Sequence, residues 1–411
     1  MTGAEADPRP VVVQKFGGTS VATPEGRAAV GDRVRAALEG GRAPIVVVSA
    51  MGRAGAPYAT DTLLGLLHGF ETVPRETDML AACGEVVSAV VVAHELRAAG
   101  VPAMALTGGE AGVVTDGRFG EATVLTVDPT ALRSAIADGV VPVVTGFQGL
   151  SASGELTTLG RGGSDTTACA IAAALGAEAV EIYTDVDGIM SADPRACDGV
   201  RVLDSLQFEE LFQMARAGAR VMHAPAAETA MNAGVPVWVR NTYSPGPGTI
   251  VADAARLAEE RVRRVATAVS HVDGICRFVV TLPKGPDRAG TLTSVFRGMA
   301  DAGVSLDMFT PLDGMLTISL AEDEMDAAAG VLASEGVSSS VRAGLAKVTL
   351  VGAGMHGVPG VMAKVAEALA AAGVEILQVA DSSYTISVLV EQSDGHRTIS
   401  ALHTAFGLGV E

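Results

Sequence analysis

The stretch with the densest chemical content is Gly160-Arg161-Gly162-Gly163-Ser164-Asp165, which runs into the alanine-rich segment Thr166–Leu175. Three glycines within four residues let backbone approach a ligand where a Cβ would block it. Arg161 is the side-chain type best suited to gripping a carboxylate or phosphate through two parallel hydrogen bonds. The alanine-rich run has high helix propensity, which puts Ser164 and Asp165 at a helix N-terminus, where free N–H groups and the dipole favour an anion. The segment reads as an anion-binding turn. Taken alone, a solvated glycine-rich surface loop explains it equally well.

A second candidate is Lys15-Phe16-Gly17-Gly18. Only four of the 29 basic residues are lysines (Lys15, Lys284, Lys347, Lys364), so the general cation needs of the chain fall to arginine. An ammonium placed just before two glycines can offset phosphate charge while backbone N–H groups bind the oxygens. No GxxxxGK(S/T) phosphate loop is present. Asp165, Asp185, Asp187 and Asp193 have the chemistry to hold Mg²⁺ together with phosphate oxygens, and each is equally at home as a turn or cap residue. Glu85, in Ala82-Cys83-Gly84-Glu85, reads as an acid at a helix start. There it is either a favourable N-terminal charge or a partner for a substrate ammonium. His223 and His271 lack ligand-spaced partners, and no Ser–His–Asp or Cys–His arrangement is evident.

These residues need a frame. Val11–Phe16, Pro44–Ala50, Val101–Leu106, Val140–Thr145 and Ala179–Thr184 read as apolar strands, and Arg27–Leu38, Asp61–His68 and Arg75–Arg97 have helical spacing. Thr19-Ser20 can cap a helix after the first strand. Apolar strands alternating with helices predict an α/β fold whose mainly parallel sheet is covered on both faces. In such sheets ligands bind beyond the carboxyl ends of the strands. Lys15-Gly17-Gly18, Ser49 and Thr184-Asp185 all stand at such ends, which predicts one shared site.

The alternation thins at the Pro/Gly-rich turn Ser244–Gly248, placing a domain boundary near residue 255. Beyond it the sequence repeats itself: Gly290–Val304 aligns with Gly360–Val374, and Thr317–Leu320 with Thr385–Val388. Each unit reads strand, loop, helix, strand, strand and is too short to bury its helix alone, so the two should pair. Gly352-Ala353-Gly354-Met355-His356-Gly357 formally matches a dinucleotide fingerprint. Too little chain lies beyond it for a nucleotide-binding half, and the sister repeat at 290 lacks the glycines.

Composition narrows the function classes. The 411 residues are 48% hydrophobic and 18% charged, with a net charge of −18, which describes two or three globular domains and disfavours nucleic acid or an anionic membrane as partner. The segment from Met1 to Pro10 has no apolar secretory core. Apolar runs such as Val86–Ala93 stop short of a membrane span. Four scattered cysteines suit reduced thiols in a cytoplasm.

The motifs, taken in order and spacing, resemble the aspartate kinase family: Lys15-Phe16-Gly17-Gly18-Thr19-Ser20, Val48-Ser49-Ala50-Met51-Gly52, Gly84-Glu85, Gly146-Phe147-Gln148-Gly149, Gly160–Asp165, Tyr183-Thr184-Asp185-Val186-Asp187-Gly188 and Ala192-Asp193-Pro194-Arg195. The C-terminal repeats resemble ACT domains. Met51–Asp61 and Ile376–Ser382 look most like the diaminopimelate-sensitive type. The resemblance implies an amino acid kinase fold over residues 1–255 and two ferredoxin-like ACT domains, 265–342 and 345–411, consecutive or nested. It implies transfer of the ATP γ-phosphoryl group, with Mg²⁺ bridging the phosphates, to the side-chain carboxylate of L-aspartate. That is the first step of lysine/diaminopimelate, threonine and methionine biosynthesis, under allosteric control through the ACT domains.

Carried over residue by residue, the resemblance makes Lys15 and Asp165 catalytic. It puts Lys15, Phe16, Gly17, Gly18, Thr184, Asp185, Met190, Asp193, Arg195 and Arg220 at ATP, and Ser49, Thr60, Glu85, Arg161, Gly162, Gly163 and Ser164 around aspartate. Asp307, Gln378, Asp381 and Ser382 would meet an effector, diaminopimelate or lysine. No residue is implied as a metal ligand. A cytoplasmic homodimer or higher oligomer, with no nucleic-acid or membrane partner, is the implied setting. Two departures stand out: Arg220 replaces the lysine usual before the Val-x-His-Pro stretch, and Pro283–Gly290 departs from the usual effector loop. A non-catalytic amino-acid sensor that keeps this fold is the competing reading, opposed by intact Lys15, Arg161 and Asp165.

Overall fold

The computed structural model describes residues 9–219, 222–257, 264–283, 285, 287–355 and 357–409. They form two compact units, one of Met1–Ile189, Val202–Ala215 and Arg220–Val262, the other of Met190–Arg201, Arg216–Ala219 and Arg263–Glu411.

In the first unit, strands β1 (Val11–Phe16), β2 (Ala43–Val48), β3 (Ala103–Leu106), β4 (Val141–Thr145), β5 (Ala179–Thr184), β6 (Ser205–Gln207), β7 (Val237–Asn241) and β8 (Thr249–Ala252) make one sheet in the order β6-β8-β7-β5-β1-β2-β4-β3. Every neighbouring pair is parallel except β7 with β8. Every residue of β2 and β4 is buried, as expected where helices cover both faces. The main helices are α1 (Pro24–Glu39), α2 (Pro74–Ala98), α3 (Gly163–Leu175) and α4 (Ala224–Asn232).

Two local features differ from the sequence reading. The cap of α1 is Thr23, whose side chain accepts from Gly26 N at 3.2 Å, with Pro24 at the first helical position. Thr19 and Ser20 instead belong to a separate single turn, Gly18–Val21, and the buried Ser20 hydroxyl bonds Thr242 at 2.6 Å. Glu85 does not start a helix: α2 runs unbroken through it. The preceding Gly84 is a close-approach residue, since a Cβ there would lie 2.7 Å from both Ala50 Cβ and Tyr58 O. By length and composition α2 could cross a membrane, which the short apolar runs of the sequence did not suggest. Half of its most apolar window lies inside the fold, and its inward face carries the buried carboxyls of Asp78 and Glu85.

Within β5 a charged group is buried. Glu181 is 1% exposed and is met by Gln14 Nε2 at 2.9 Å, Arg240 at 2.8 Å, Arg42 at 3.2 Å and the Tyr183 hydroxyl at 3.0 Å. Removing one member of such a group strands the others away from water. Glu181→Ala is therefore expected to lower stability by about 3–5 kcal/mol, read as a fall in the urea midpoint. A loss below about 1 kcal/mol would show that both guanidinium groups re-solvate freely.

The second unit contains β9 (Ala268–Thr281), α5 (Asp287–Asp301), β10 (Met308–Leu312), β11 (Met315–Ala321), α6 (Met325–Ser334), β12 (Ser339–Val351), α7 (Val361–Ala371), β13 (Gln378–Asp381), β14 (Thr385–Glu391) and α8 (Gly395–Ala405). Its sheet order is β10-β11-β9-β12-β14-β13. The long strands β9 and β12 serve both repeats. Their mutual register shifts between Val272 and Arg277, and on either side of that irregularity β9 pairs with β11 and β12 with β14. Equivalent repeat positions fill equivalent places: Val295 and Met299 of α5 are buried in one core, Val365 and Leu369 of α7 in the other.

The formal dinucleotide fingerprint has a packing explanation. A Cβ on Gly352 would sit 2.6 Å from Ala266 Cα and Val265 O, and one on Gly354 would sit 2.5 Å from Arg264 O. Those glycines admit a neighbouring chain segment, not a phosphate. His356 of that motif lies outside the described residues.

Candidate active site

The carboxyl ends of β5, β1, β2 and β4 stand side by side, which sets four functional segments on one rim. Gly17 N donates to Tyr183 O at 3.2 Å, Ser49 N to Phe16 O at 3.2 Å, and Gly146 N to Val48 O at 2.9 Å. Beneath the rim the rings of Phe16 and Tyr183 stack at 4.8 Å. A Cβ on Gly18 would lie 2.6 Å from the carbonyls of Ala50 and Gly52, so glycine is needed for the turn to pass that loop. At Gly17 the nearest atoms to such a Cβ are Tyr183 O at 3.7 Å and Lys15 Nζ at 4.0 Å. The ammonium thus lies over an open glycine.

Lys15 Nζ meets Asp165 Oδ1 at 2.7 Å, with both side chains largely buried. Asp165 sits in the first turn of α3, so one ion pair ties the lysine turn to the glycine–arginine turn. Gly162, the residue before α3, has φ 71°, a conformation that favours glycine. Ser164 is packed against Gly146, where a Cβ would be 2.6 Å from the serine side chain. Arg161 is exposed, and its guanidinium is available to an incoming anion.

Phe147 belongs to the Gly146–Gly149 motif but is not among the site residues that the resemblance implies. It is the one non-glycine at positive φ (70°) among the described residues. Phe147 N donates to Thr167 Oγ1 at 3.1 Å, and Phe147 O accepts from Leu159 N at 2.9 Å. Its ring lies where a Cβ on Gly163 would come within 2.9 Å. Backbone held in this region concentrates at functional sites, and the flanking Gly146 and Gly149 are the only sequence signal for it.

Glu85 Oε1 accepts from Ala50 N at 3.0 Å, while Oε2 is buried without a partner among the described residues. Burial pushes its carboxyl up to about 7, against the smaller downward pull of the Ala50 N–H. A folded-state value above the unfolded one means that this group favours the fold at low pH, and that the benefit is lost as pH rises from about 4.5 through about 7. An ammonium brought to Oε2 reverses the balance, because it stabilises the carboxylate. Binding of an amino-acid substrate should therefore strengthen as pH rises through 7. About one-tenth of a group with that value is ionised at pH 6 and about nine-tenths at pH 8, so KM for the amino acid should fall roughly tenfold between them. Glu85→Gln should raise KM and flatten the profile; an unchanged profile in that variant would refute the assignment.

Thr184 and Asp185 lie at the end of β5, with Asp185 bonded to Arg53 at 2.8 Å and to the Thr184 hydroxyl at 3.1 Å. Thr60 opens the short helix Thr60–Gly65. Met190, Asp193 and Arg195 fall in the second unit. There Asp193 accepts three bonds from Arg195, two from the guanidinium at 2.7 and 3.0 Å and one from the backbone N at 2.9 Å, and Ala192, Ala196 and Cys197 join the core of the second repeat. Arg220 lies outside the described residues.

In the second unit Asp307 pairs with Lys347 Nζ at 2.6 Å. Three residues on, Thr310 Oγ1 accepts from Gln378 Nε2 at 3.4 Å, so the two repeats meet at this point. Asp381 is exposed at the end of β13, and Ser382 Oγ accepts from Tyr384 N and Thr385 N in the adjoining turn.

Known proteins share this architecture of a parallel-sheet unit and a repeated second unit. The amino acid kinase family matches residues 10–241 and an ACT domain matches 340–404; the chain belongs to the amino acid kinase family. Bacillus subtilis aspartokinase 1 is 42% identical over 97% of this chain and 99% of its own length. The Mycolicibacterium smegmatis aspartokinase is 42% identical over 97% and 96%. The crystal structure of E. coli aspartokinase III with aspartate and ADP, its R-state, aligns with a TM-score of 0.76 at 26% identity over 96% of this chain and 99% of that one. The same enzyme with lysine and aspartate, its T-state, aligns equally well. The chain is an aspartate kinase carrying ACT domains.

Proposed function

We propose that the first unit transfers the γ-phosphoryl group of ATP, bound as its magnesium complex, to the side-chain carboxylate of L-aspartate. The observation that carries this reading is the Lys15–Asp165 pair at 2.7 Å, which joins a phosphate-suited turn to the turn bearing Arg161. Arg161, Gly162, Gly163 and Ser164, with Ser49 and Thr60, would hold the acceptor's carboxylates. Glu85 would pair with its ammonium. Lys15, Gly17 and Gly18 would receive the phosphates, with Thr184 and Asp185 toward the nucleoside.

A side-chain oxygen of aspartate attacks the γ-phosphorus, and the bond to the β–γ bridging oxygen breaks, leaving ADP with the electron pair. A carboxylate nucleophile is already ionised near neutrality, so no general base is required. Charge spreads over the transferred oxygens in the transition state, and a fixed ammonium aimed at them lowers the barrier. Magnesium would arrive on the nucleotide.

The ACT unit would bind lysine or diaminopimelate through Asp307 and Gln378, with Asp381 and Ser382 nearby, in a cytoplasmic homodimer or higher oligomer. The test is phosphoryl transfer from Mg-ATP to aspartate, trapped as the hydroxamate, with glutamate and N-acetylglutamate as parallel acceptors and with lysine and diaminopimelate as added effectors. Turnover with aspartate and inhibition by one effector is expected. Turnover confined to another acceptor overturns the reading.

A further inference from the structure

We propose that His223 is a positioning residue of the acceptor site, holding the Arg161–Ser164 turn through Gly162 and bonding through Nδ1 only when the acceptor is bound. The inference rests on the reading that this turn receives aspartate. His223 stands directly before α4. Its carbonyl accepts from Ala226 N and Ala227 N at 3.1 and 3.2 Å, but its side chain makes no capping bond. The imidazole instead lies against the glycine turn: a Cβ on Gly162 would be 2.3 Å from His223 Cβ and Cγ and 2.9 Å from Cδ2. Gly162 is thus held as glycine twice over, by its φ of 71° and by this ring.

The Nδ1 atom is buried and has no hydrogen-bond partner among the described residues. Buried polar atoms are ordinarily paired, and an exception calls for an explanation such as a role at the site. Glu85 Oε2 has the same unfilled bond, and the acceptor reading fills it with the substrate ammonium. A purely packing role for residue 223 would be served better by an apolar ring, which would leave no orphaned nitrogen. The sequence offers His223 as a metal-ligand candidate without partners and as the histidine of the Val221-Met222-His223 stretch. Its contact with Gly162 joins residues 61 positions apart and depends on how α3 and α4 pack.

The test compares His223→Phe, which keeps the ring against Gly162 without a polar atom, with His223→Asn, whose amide nitrogen occupies the same position along the side chain as Nδ1. In the full chain, His223→Phe is expected to raise KM for aspartate about tenfold, one lost hydrogen bond's worth. KM for ATP should stay within about twofold, with an undiminished melting temperature, because the orphaned nitrogen is gone. His223→Asn should recover most of the loss. Wild-type aspartate KM in His223→Phe overturns the proposal. So does equal impairment in both variants, or a melting temperature that falls in step with activity. Arg161→Ala, measured alongside, separates this outcome from the underlying reading: an unchanged aspartate KM there removes the acceptor assignment of the turn, whatever His223 shows.

Discussion

Lys15→Ala should lower kcat by about two to three orders of magnitude, the usual loss when a single preorganised charge is removed from a developing oxyanion, while KM for either substrate changes far less. The expectation rests on where the ammonium lies. It is 2.7 Å from Asp165 and over the open face of Gly17, with 13% of its side chain exposed. Lys15 is the only described lysine of the first unit, so that unit has no second ammonium to take its place. Lys15→Arg should rescue little. A planar guanidinium is larger and spreads its charge, so it cannot place a point charge where the ammonium meets Asp165 at 2.7 Å. Asp165→Asn should give a smaller loss in kcat, because it frees the ammonium without removing it. Steady-state kinetics on all three, with circular dichroism to confirm folding, decides the matter; near-normal kcat in Lys15→Ala would remove Lys15 from the chemistry.

Arg161→Ala should raise KM for aspartate by about a hundredfold, the equivalent of one charge-assisted bidentate contact, and should leave stability almost untouched. Arg161 is exposed, and substitutions at such positions ordinarily shift stability by no more than about 0.5 kcal/mol. Binding and folding are therefore separable here, unlike at Glu181, where one side chain satisfies four partners. Arg161→Lys should recover only part of the affinity, because an ammonium cannot present two parallel donors to a carboxylate. Titration with aspartate, followed by KM and by melting temperature, tests both halves. A loss confined to ATP would reassign the turn to phosphate, the anion its glycines by themselves suggest.

Much of the frame is legible in the sequence, for a local reason. Strands Val11–Phe16 and Ala179–Thr184 have the same limits in sequence and structure, because apolar runs ended by glycine or aspartate carry their own boundaries. The C-terminal repeat is legible because equivalent side chains, Val295 with Val365 and Met299 with Leu369, fill equivalent cores. Glu85 reads as a helix start beside Gly84, although the helical spacing of Arg75–Arg97 already runs through both, as α2 does. In the fold that glycine admits Ala50 and Tyr58 to the side of a continuous helix. Thr23 escapes notice as a cap because the first turn after β1 closes on itself before α1 begins.

The sequence by itself determined the alternation of strand and helix, the glycines that end the strands, and the residue types assembled at those ends. All are set by interactions between residues near one another in the chain. The tertiary structure decided the rest: that Lys15 pairs with Asp165, that Glu181 gathers Gln14, Arg42 and Arg240, that Met190–Arg201 packs with the second unit, and that His223 lies on Gly162. Each joins positions far apart in the chain; what selects them is the cost of leaving buried polar groups unpaired and, for Met190–Arg201, the apolar packing of Ala192, Ala196 and Cys197, neither of which a local pattern records.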